Sequence, residues 1–323
     1  MFLPMVTPLK TPILFLIFNR PDMTHRVFKE IRKAKPQTLF IAADGPRERV
    51  PADKTKCEEA RNIIGQIDWS CSVKTLFREK NQGCKDAVSS AISWFFENVE
   101  EGIILEDDCL PSQSFFWFCE ELLERYREDS RILMVSGLNV LDEWKCDKQD
   151  YHFSTGGIWG WATWERAWRL YDGDMKLWNN GETRKKLRKM IYHPNAYGTL
   201  MDWFEKAYRK EFDTWDVPWA FARMANGGLS INPCRKLISN IGFGPGATHT
   251  TSVQQELSNQ PVYEMTFPLR YNNNVSIDVE YQRIFDKICY PKASRPSQLR
   301  KRIMHLIKRV KNAAAQKTVK IFY

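Results

Sequence analysis

The sequence predicts an α/β fold: a mostly parallel sheet flanked by helices, followed by a less regular half and a basic C-terminal helix. Three observations carry this. Apolar runs of strand length alternate with amphipathic stretches of helical length from Ile13 to about Gly137, the pattern of βαβ units. The runs end repeatedly in polar or acidic residues, as strands do when their carboxyl ends share a rim. The positive charge is segregated. The 323-residue chain carries a net +9, yet ten Lys or Arg and no acid fall between Ile288 and Tyr323, so the remainder is near −1. A nucleic-acid-binding body would carry its own basic face, so no nucleic-acid partner is expected.

Each element has a local reason. "ILFLIFN" from Ile13 is a buried strand, too short to span a bilayer. "RPDMTHRVFKEIRKAK" is a helix with Pro21 in its first turn. "TLFIAADG" is a second strand closing on Asp44-Gly45, followed by a helix around "CEEARNIIGQI" and a third strand, "CSVKTLFRE". "GCKDAVSSAISWFFENV" has helical spacing, "GIILEDD" is the fourth strand, "SFFWFCEELLERY" a helix and "RILMVSG" a fifth strand. Beyond it, "STGGIWGWATWERAW" combines a Gly-Gly turn, short apolar stretches and a helix. Helices follow within "ETRKKLRKMIYH" and "LMDWFEKAYRK", then a strand "LSINP" and a Gly-rich loop "NIGFGPGATHT". The expected organisation is a domain over 1–287, with halves at about 1–137 and 138–287, and a basic tail over 288–323. Eight scattered Cys without a CxxC pair fit reduced thiols in a cytosolic protein better than a zinc site or disulfides.

The candidate chemistry begins at the fourth strand. Glu106, Asp107 and Asp108 follow Ile103-Ile104-Leu105 without a break. Three carboxylates at a strand end repel one another unless a cation or donor balances them. Oxygen ligands suit Mg2+ or Mn2+ held partly by phosphates; the bland alternative is a solvated turn stopped by Pro111. Asp44, at another strand end, could accept from a ribose or base, or serve an Asp-Gly turn. Arg78, Asn81 and Gly83 precede a helix and could cradle phosphate, or merely cap it. "GGIWGW" sets glycines beside Trp159 and Trp161, either for sugar stacking or as a core turn. "DTWDVPWAF" places Asp213 and Asp216 among indoles, where a carboxylate becomes a better base; the alternative for Asp216 is a helix start. His249, ending "GPGATHT", belongs to a surface loop or to a lid touching metal or phosphate.

Taken in order, these motifs resemble the GT-A fold glycosyltransferases, and among them the N-acetylglucosaminyltransferase I type. The resemblance rests on a first strand ending Asn19-Arg20, a second ending Asp44-Gly45, the acid triplet, "GGIWGW", "TWD" and "GFGPGATHT", spanning roughly Pro12 to Thr250. It implies an inverting, metal-dependent transfer from a UDP-sugar to a glycan or lipid-linked acceptor. Asp108 would face the Mn2+ or Mg2+ ion, Asp107 the ribose and Glu106 the donor sugar. Asp44 would read the nucleobase with Arg20 nearby, and Asp216 would be the base. One departure matters: the family pairs acids between two Trp, whereas "WDVPW" has one, which keeps Asp213 as a rival base. The resemblance also implies a bacterial-type cytoplasmic enzyme, because the anchor of eukaryotic members has no counterpart here. Two other readings remain, a sugar nucleotidyltransferase and a non-catalytic sugar- or membrane-binding module. The first expects a Gly-rich loop after the first strand, and "FNRPDMTH" contains no glycine.

In "SQLRKRIMHLIKRVKNAAAQ" the apolar residues Leu299, Ile303, Leu306, Ile307 and Val310 share one helical face, with Lys and Arg on much of the rest. That pattern predicts peripheral binding to the anionic inner face of a membrane, or a helix docked on the domain with a solvated basic face.

Overall fold

The computed structural model describes residues 8–243 and 258–290. Strand β1 (Ile13–Ile17) leads through α1 (Pro21–Ala34), β2 (Thr38–Ala43), α2 (Ala52–Arg61), β3 (Ser72–Phe77) and α3 (Gly83–Phe96) to β4 (Glu101–Glu106). Next come β5 (Cys109–Pro111), α4 (Gln113–Arg125), β6 (Ile132–Ser136), β7 (Tyr151–Ser154), β8 (Trp161–Trp164) and α5 (Glu165–Trp168). The chain continues with α6 (Gly181–Met190), α7 (Pro194–Tyr208), α8 (Asp216–Ala225), β9 (Leu229–Pro233), β10 (Ile238–Asn240) and α9 (Val279–Cys289).

The expected α/β class is what forms. Eight strands build one sheet in the order β3-β2-β1-β4-β8-β6-β9-β7. The block β3-β2-β1-β4 is parallel throughout, β8 runs antiparallel between β4 and β6, and β6 pairs parallel with β9. Register explains the polar rim. Ile17 lies opposite Ala43 and Leu16 opposite Glu106, while Ala43 lies opposite Phe77. Asn19-Arg20, Asp44, Arg78 and Asp107-Asp108 therefore leave the sheet at the same edge.

Alternation along these strands supplies two cores. Ile13, Phe15, Ile17, Ile103 and Leu105 pack against Val27, Phe28 and Ile31 of α1 and Phe115 of α4. Leu14, Leu16, Phe40 and Ile104 face the other way, onto Ile92 and Phe95 of α3 and onto Trp161, Trp168, Trp215 and Trp219. Each such side chain contributes about 1.5–3 kcal/mol when fully buried.

The second half departs from the expected pattern. "GWATW" is a strand rather than the approach to a helix: β8 is wedged between β4 and β6 with all four residues buried, and α5 is a single turn. Both faces of β8 are covered, so its apolar run carries no alternation to read. Helix α2 begins at Ala52, ahead of the expected stretch, and gives way to a 3-10 turn over Asn62–Gln66. Strands β6 to β9 belong to the same sheet as the first half, so the sheet crosses the expected division near 137. Helix α9 runs through 287 and ends at Cys289. His249 and the basic stretch from Lys292 lie outside the described residues. No helix among the described residues is long and apolar enough to cross a membrane.

His152 of β7 supplies a pH-dependent element of stability. Its ring is 1% exposed, 3.9 Å from the Tyr281 ring, and neither nitrogen has a hydrogen-bond partner. Burial disfavours the imidazolium and brings the pKa down from 6.5 to about 3. The folded state thus binds fewer protons than the unfolded one between these values. The stabilisation is complete above pH 6.5 and is lost as pH falls toward 3, by up to roughly 4 kcal/mol. Urea midpoints at pH 7 and pH 4.5 should show wild type losing markedly more stability than His152→Phe. Equal losses would show that the acid sensitivity lies elsewhere.

Candidate active site

The rim at the end of β4 carries an uneven charge balance. Arg20 sits just before α1, and its guanidinium bridges two acids, with Nη2 2.6 Å from Asp107 Oδ1 and Nη1 2.9 Å from Asp108 Oδ2. The Phe18 amide donates to Asp107 Oδ2 at 3.2 Å. Burial resists the charge on Arg20, but Asp107, Asp108 and Glu106 outweigh it and hold the guanidinium above its ordinary pKa. Asp107 is almost wholly enclosed, and burial raises its pKa although Arg20 pulls it down. Burial also raises Glu106, reinforced by Asp108, Asp107 and Asp216 and opposed by Arg20. One cation thus faces three adjacent carboxylates, with a fourth, Asp216, within electrostatic reach.

Asp108 is fixed from its other side. Directly after it β5 pairs antiparallel with β10, and the Ile241 amide donates to the Asp108 carbonyl at 2.8 Å. The chain then presses on the acid itself: a Cβ at Gly242 would lie 2.2 Å from Asp108 Oδ2. The start of the "GFGPG" loop therefore requires glycine because it packs on the acid triplet.

Asp216 opens α8 between the buried Trp215 and Trp219. Its Oδ1 accepts from the Thr214 hydroxyl and, at 2.9 Å, from the Val217 amide. Neither of these bonds uses Oδ2. Asp213, the expected rival base, is placed differently. Its two oxygens accept from the Cys84 and Lys85 amides at 3.0 and 2.9 Å, so it caps the N-terminus of α3.

Asp44 works at the same helix end. It accepts from the amides of Gly45, Gln82 and Gly83 at 2.8, 3.0 and 3.2 Å, and from Asn81 Nδ2 at 2.8 Å. The expected phosphate cradle of Arg78, Asn81 and Gly83 is thereby corrected. The amides of residues 82 to 85 are already consumed by two carboxylates, which would repel phosphate. Arg78 itself donates to Ser90 on α3 at 2.7 Å. Asp44 likewise is a tether between β2 and α3, with both oxygens committed, rather than an open reader of a nucleobase.

Trp161 is corrected as well. It is 1% exposed and stacks on Trp215 at 5.6 Å, which makes it core rather than a sugar platform. Gly160 has φ +56°, and a Cβ there would meet the Ile238 side chain at 2.4 Å, so packing demands this glycine. Trp159 is only half-buried and meets Phe243 edge-on at 5.8 Å, beside the Gly242 loop.

Behind Asn19 lies a network that the sequence reading missed. Asn19 Nδ2 donates to Asp53 Oδ1 at 2.7 Å, and Arg47 reaches the same acid at 2.6 Å through Nε. Arg47 holds the Asp53 pKa down to about 2 against its burial, and its guanidinium covers the Phe18 ring at 5.5 Å. A loop base and an acid in the first turn of α2, six residues apart, give no periodic signal.

Two adjoining cavities of about 480 and 620 Å3 share Ser93 and Tyr171 and lie along α3, and no residue of the acid cluster lines either of them.

No protein-family profile and no curated protein matches this chain. Some solved structures are similar at low identity. A UDP-glucose pyrophosphorylase complexed with UDP-glucose aligns over 71% of this chain and 91% of its own, with 10% identity and a TM-score of 0.36. Residues 1–349 of S. aureus TarS align over 71% of this chain and 59% of theirs, with 9% identity and a TM-score of 0.40. An inositol-1-phosphate CTP transferase from T. maritima aligns over 51% and 74%, with 9% identity and a TM-score of 0.31. Activity is therefore read from this chain's own residues.

The donor set can be tested against a divalent cation. Among the described residues no three Asp, Glu, His or Cys side chains converge to cage a metal. Asp108 Oδ1 is nevertheless not engaged by Arg20 and, among the described residues, meets only the Cys109 thiol, at 3.6 Å. One carboxylate oxygen in a net negative cluster fits an ion shared with phosphates, since Mg2+ commonly takes one or two carboxylates plus substrate oxygens.

Proposed function

We propose that this protein is a nucleotide-sugar glycosyltransferase of GT-A type, moving a sugar from a UDP-sugar to an acceptor hydroxyl with inversion. One observation carries the reading. Glu106, Asp107 and Asp108 follow one another at the end of a strand at the centre of the sheet, a single guanidinium offsets only part of their charge, and Asp216 lies within electrostatic reach from α8. A solvated turn would not bury Asp107 or bind Arg20 across two acids. A non-catalytic module would not need a fourth carboxylate there.

In this reading Asp108 would hold Mn2+ or Mg2+, which would neutralise the departing diphosphate as a Lewis acid. Asp107, fixed by Arg20 and the Phe18 amide, would accept from the ribose, and Glu106 from the donor sugar. The acceptor oxygen bonds to the anomeric carbon as the bond to the diphosphate breaks and the electron pair leaves with it. Asp216 takes the acceptor proton on Oδ2, while Thr214 and Val217 hold Oδ1 and fix the plane of the carboxylate. The acceptor would be a glycan or lipid-linked sugar at the cytoplasmic face of a membrane, with the N-acetylglucosaminyltransferase I type as the nearest analogy. A nucleotidyltransferase is disfavoured locally. Only Phe18, Asn19 and Arg20 separate β1 from α1, and Arg20 is committed to Asp107 and Asp108.

Thermal shift with UDP, GDP, dTDP and CDP, each with and without Mn2+, tests donor recognition. A rise in melting temperature with UDP that is larger when Mn2+ is present is expected. No shift with any of the four nucleotides would overturn the reading.

A further inference from the structure

Away from the acid cluster, one surface combines features that the proposed chemistry does not use. The 3-10 turn Lys176–Asn179 contacts both helix α6 and helix α7, which makes the three one surface region. Helix α6 buries Thr183, Leu187 and Met190 and exposes Arg184, Lys185, Lys186, Arg188 and Lys189. Glu182 is the sole acid of that helix and is paired to Lys185 at 2.7 Å. Lys186 and Lys189 have no carboxylate within 4 Å among the described residues. The Arg184 guanidinium lies over Trp178, 4.7 Å from the ring centroid, and donates to the Trp178 carbonyl, which joins α6 to the turn.

The same face carries an exposed apolar pair. Large hydrophobic side chains are seldom exposed among the described residues, yet Leu177 is 48% exposed and Tyr208 37%. Asn179 Nδ2 donates to the Tyr208 hydroxyl at 2.9 Å, which ties the end of α7 to the turn that carries Leu177. Arg209 and Lys210 follow Tyr208 directly and are exposed, but they are paired with Glu205 and Asp174, so the unpaired positive charge of this surface comes from α6.

We infer that this face is a docking surface for an anionic lipid bilayer. Charge complementarity selects an anionic partner. The apolar pair selects a bilayer over a soluble polyanion, because Leu177 has nothing to gain from phosphates alone, whereas a leucine and a tyrosine can enter the boundary between headgroups and acyl chains. The apolar side of α6 is already spent on the core, so binding is adsorption with a shallow anchor rather than insertion of the helix. Helices α6 and α7 pack on α8, whose first residue is Asp216, so docking here acts on the body of the protein and not on its tail. The inference stands whether or not the chain transfers sugars.

The test is sedimentation of the full-length chain with vesicles of phosphatidylcholine containing 30% phosphatidylglycerol, and with neutral phosphatidylcholine vesicles. Wild type is expected to bind the anionic vesicles and not the neutral ones. K186E/K189E and L177D should each lower partitioning by about tenfold or more, with unchanged melting temperatures. Binding by both variants at the wild-type level, equal binding to neutral vesicles, or no binding by wild type would overturn the inference. Loss by K186E/K189E alone, with L177D still bound, would also overturn it, leaving a general polyanion site.

Discussion

Asp216→Asn is expected to lower turnover by roughly 10²–10⁴-fold, with donor affinity nearly unchanged. The amide keeps the size of the carboxylate and can still accept from Thr214 and Val217, so α8 should start as before. What it loses is the ability to take a proton, and general-base assistance is typically worth that factor. Asp213→Asn provides the contrast. Asp213 caps α3, and its loss should cost about 1 kcal/mol of stability while changing turnover less than tenfold. Steady-state kinetics with saturating donor separates the two. If Asp213→Asn were the crippling change, the base would have to be reassigned and the cap at Cys84 and Lys85 reinterpreted.

Arg20→Ala should abolish activity and destabilise the protein at once. Arg20 is the cation that bridges Asp107 and Asp108, whose side chains are 3% and 16% exposed. Removing one member of a buried ion pair leaves uncompensated charge and typically costs about 3–5 kcal/mol. For a domain of this size that corresponds to a fall of roughly 6–12 °C in melting temperature. Adding Asp107→Asn to Arg20→Ala should recover part of the stability, because the stranded charge is then gone, but none of the turnover. Calorimetry of the single and double variants reads this directly. A melting temperature for Arg20→Ala equal to wild type would mean that the acids do not depend on the guanidinium.

The parallel block was legible because its physics is local. Apolar runs of five or six residues, amphipathic helices between them and polar endings place β1 to β4 and their rim in the right order. β8 was not legible: "WATW" is buried on both faces, so neither period appears, and only its partners β4 and β6 make it a strand. The site divides in the same way. Asp108 and Asp216 stand out in the sequence through their neighbours in the chain. Asp44 and Asp213, equally plausible in sequence, turn out to share the task of capping α3 from positions far apart in the chain. No local pattern announces that arrangement, and it removes the amides that a phosphate loop would need. Asp53 and Arg47 were invisible for the complementary reason, since they act through Asn19 and not through any motif of their own.

The central claim is that the cluster at Asp108, with Asp216 opposite, breaks a nucleotide diphosphate sugar at the bond to the sugar. The direct measurement is the product released from a panel of UDP-sugars, with Mn2+ or with chelator, by wild type and by Asp108→Asn. Wild type with Mn2+ should release UDP and free or transferred sugar, and both the chelated enzyme and the Asp108→Asn enzyme should release almost none. Release of sugar phosphate or consumption of pyrophosphate would place the broken bond within the diphosphate and contradict the account, as would full UDP release by Asp108→Asn.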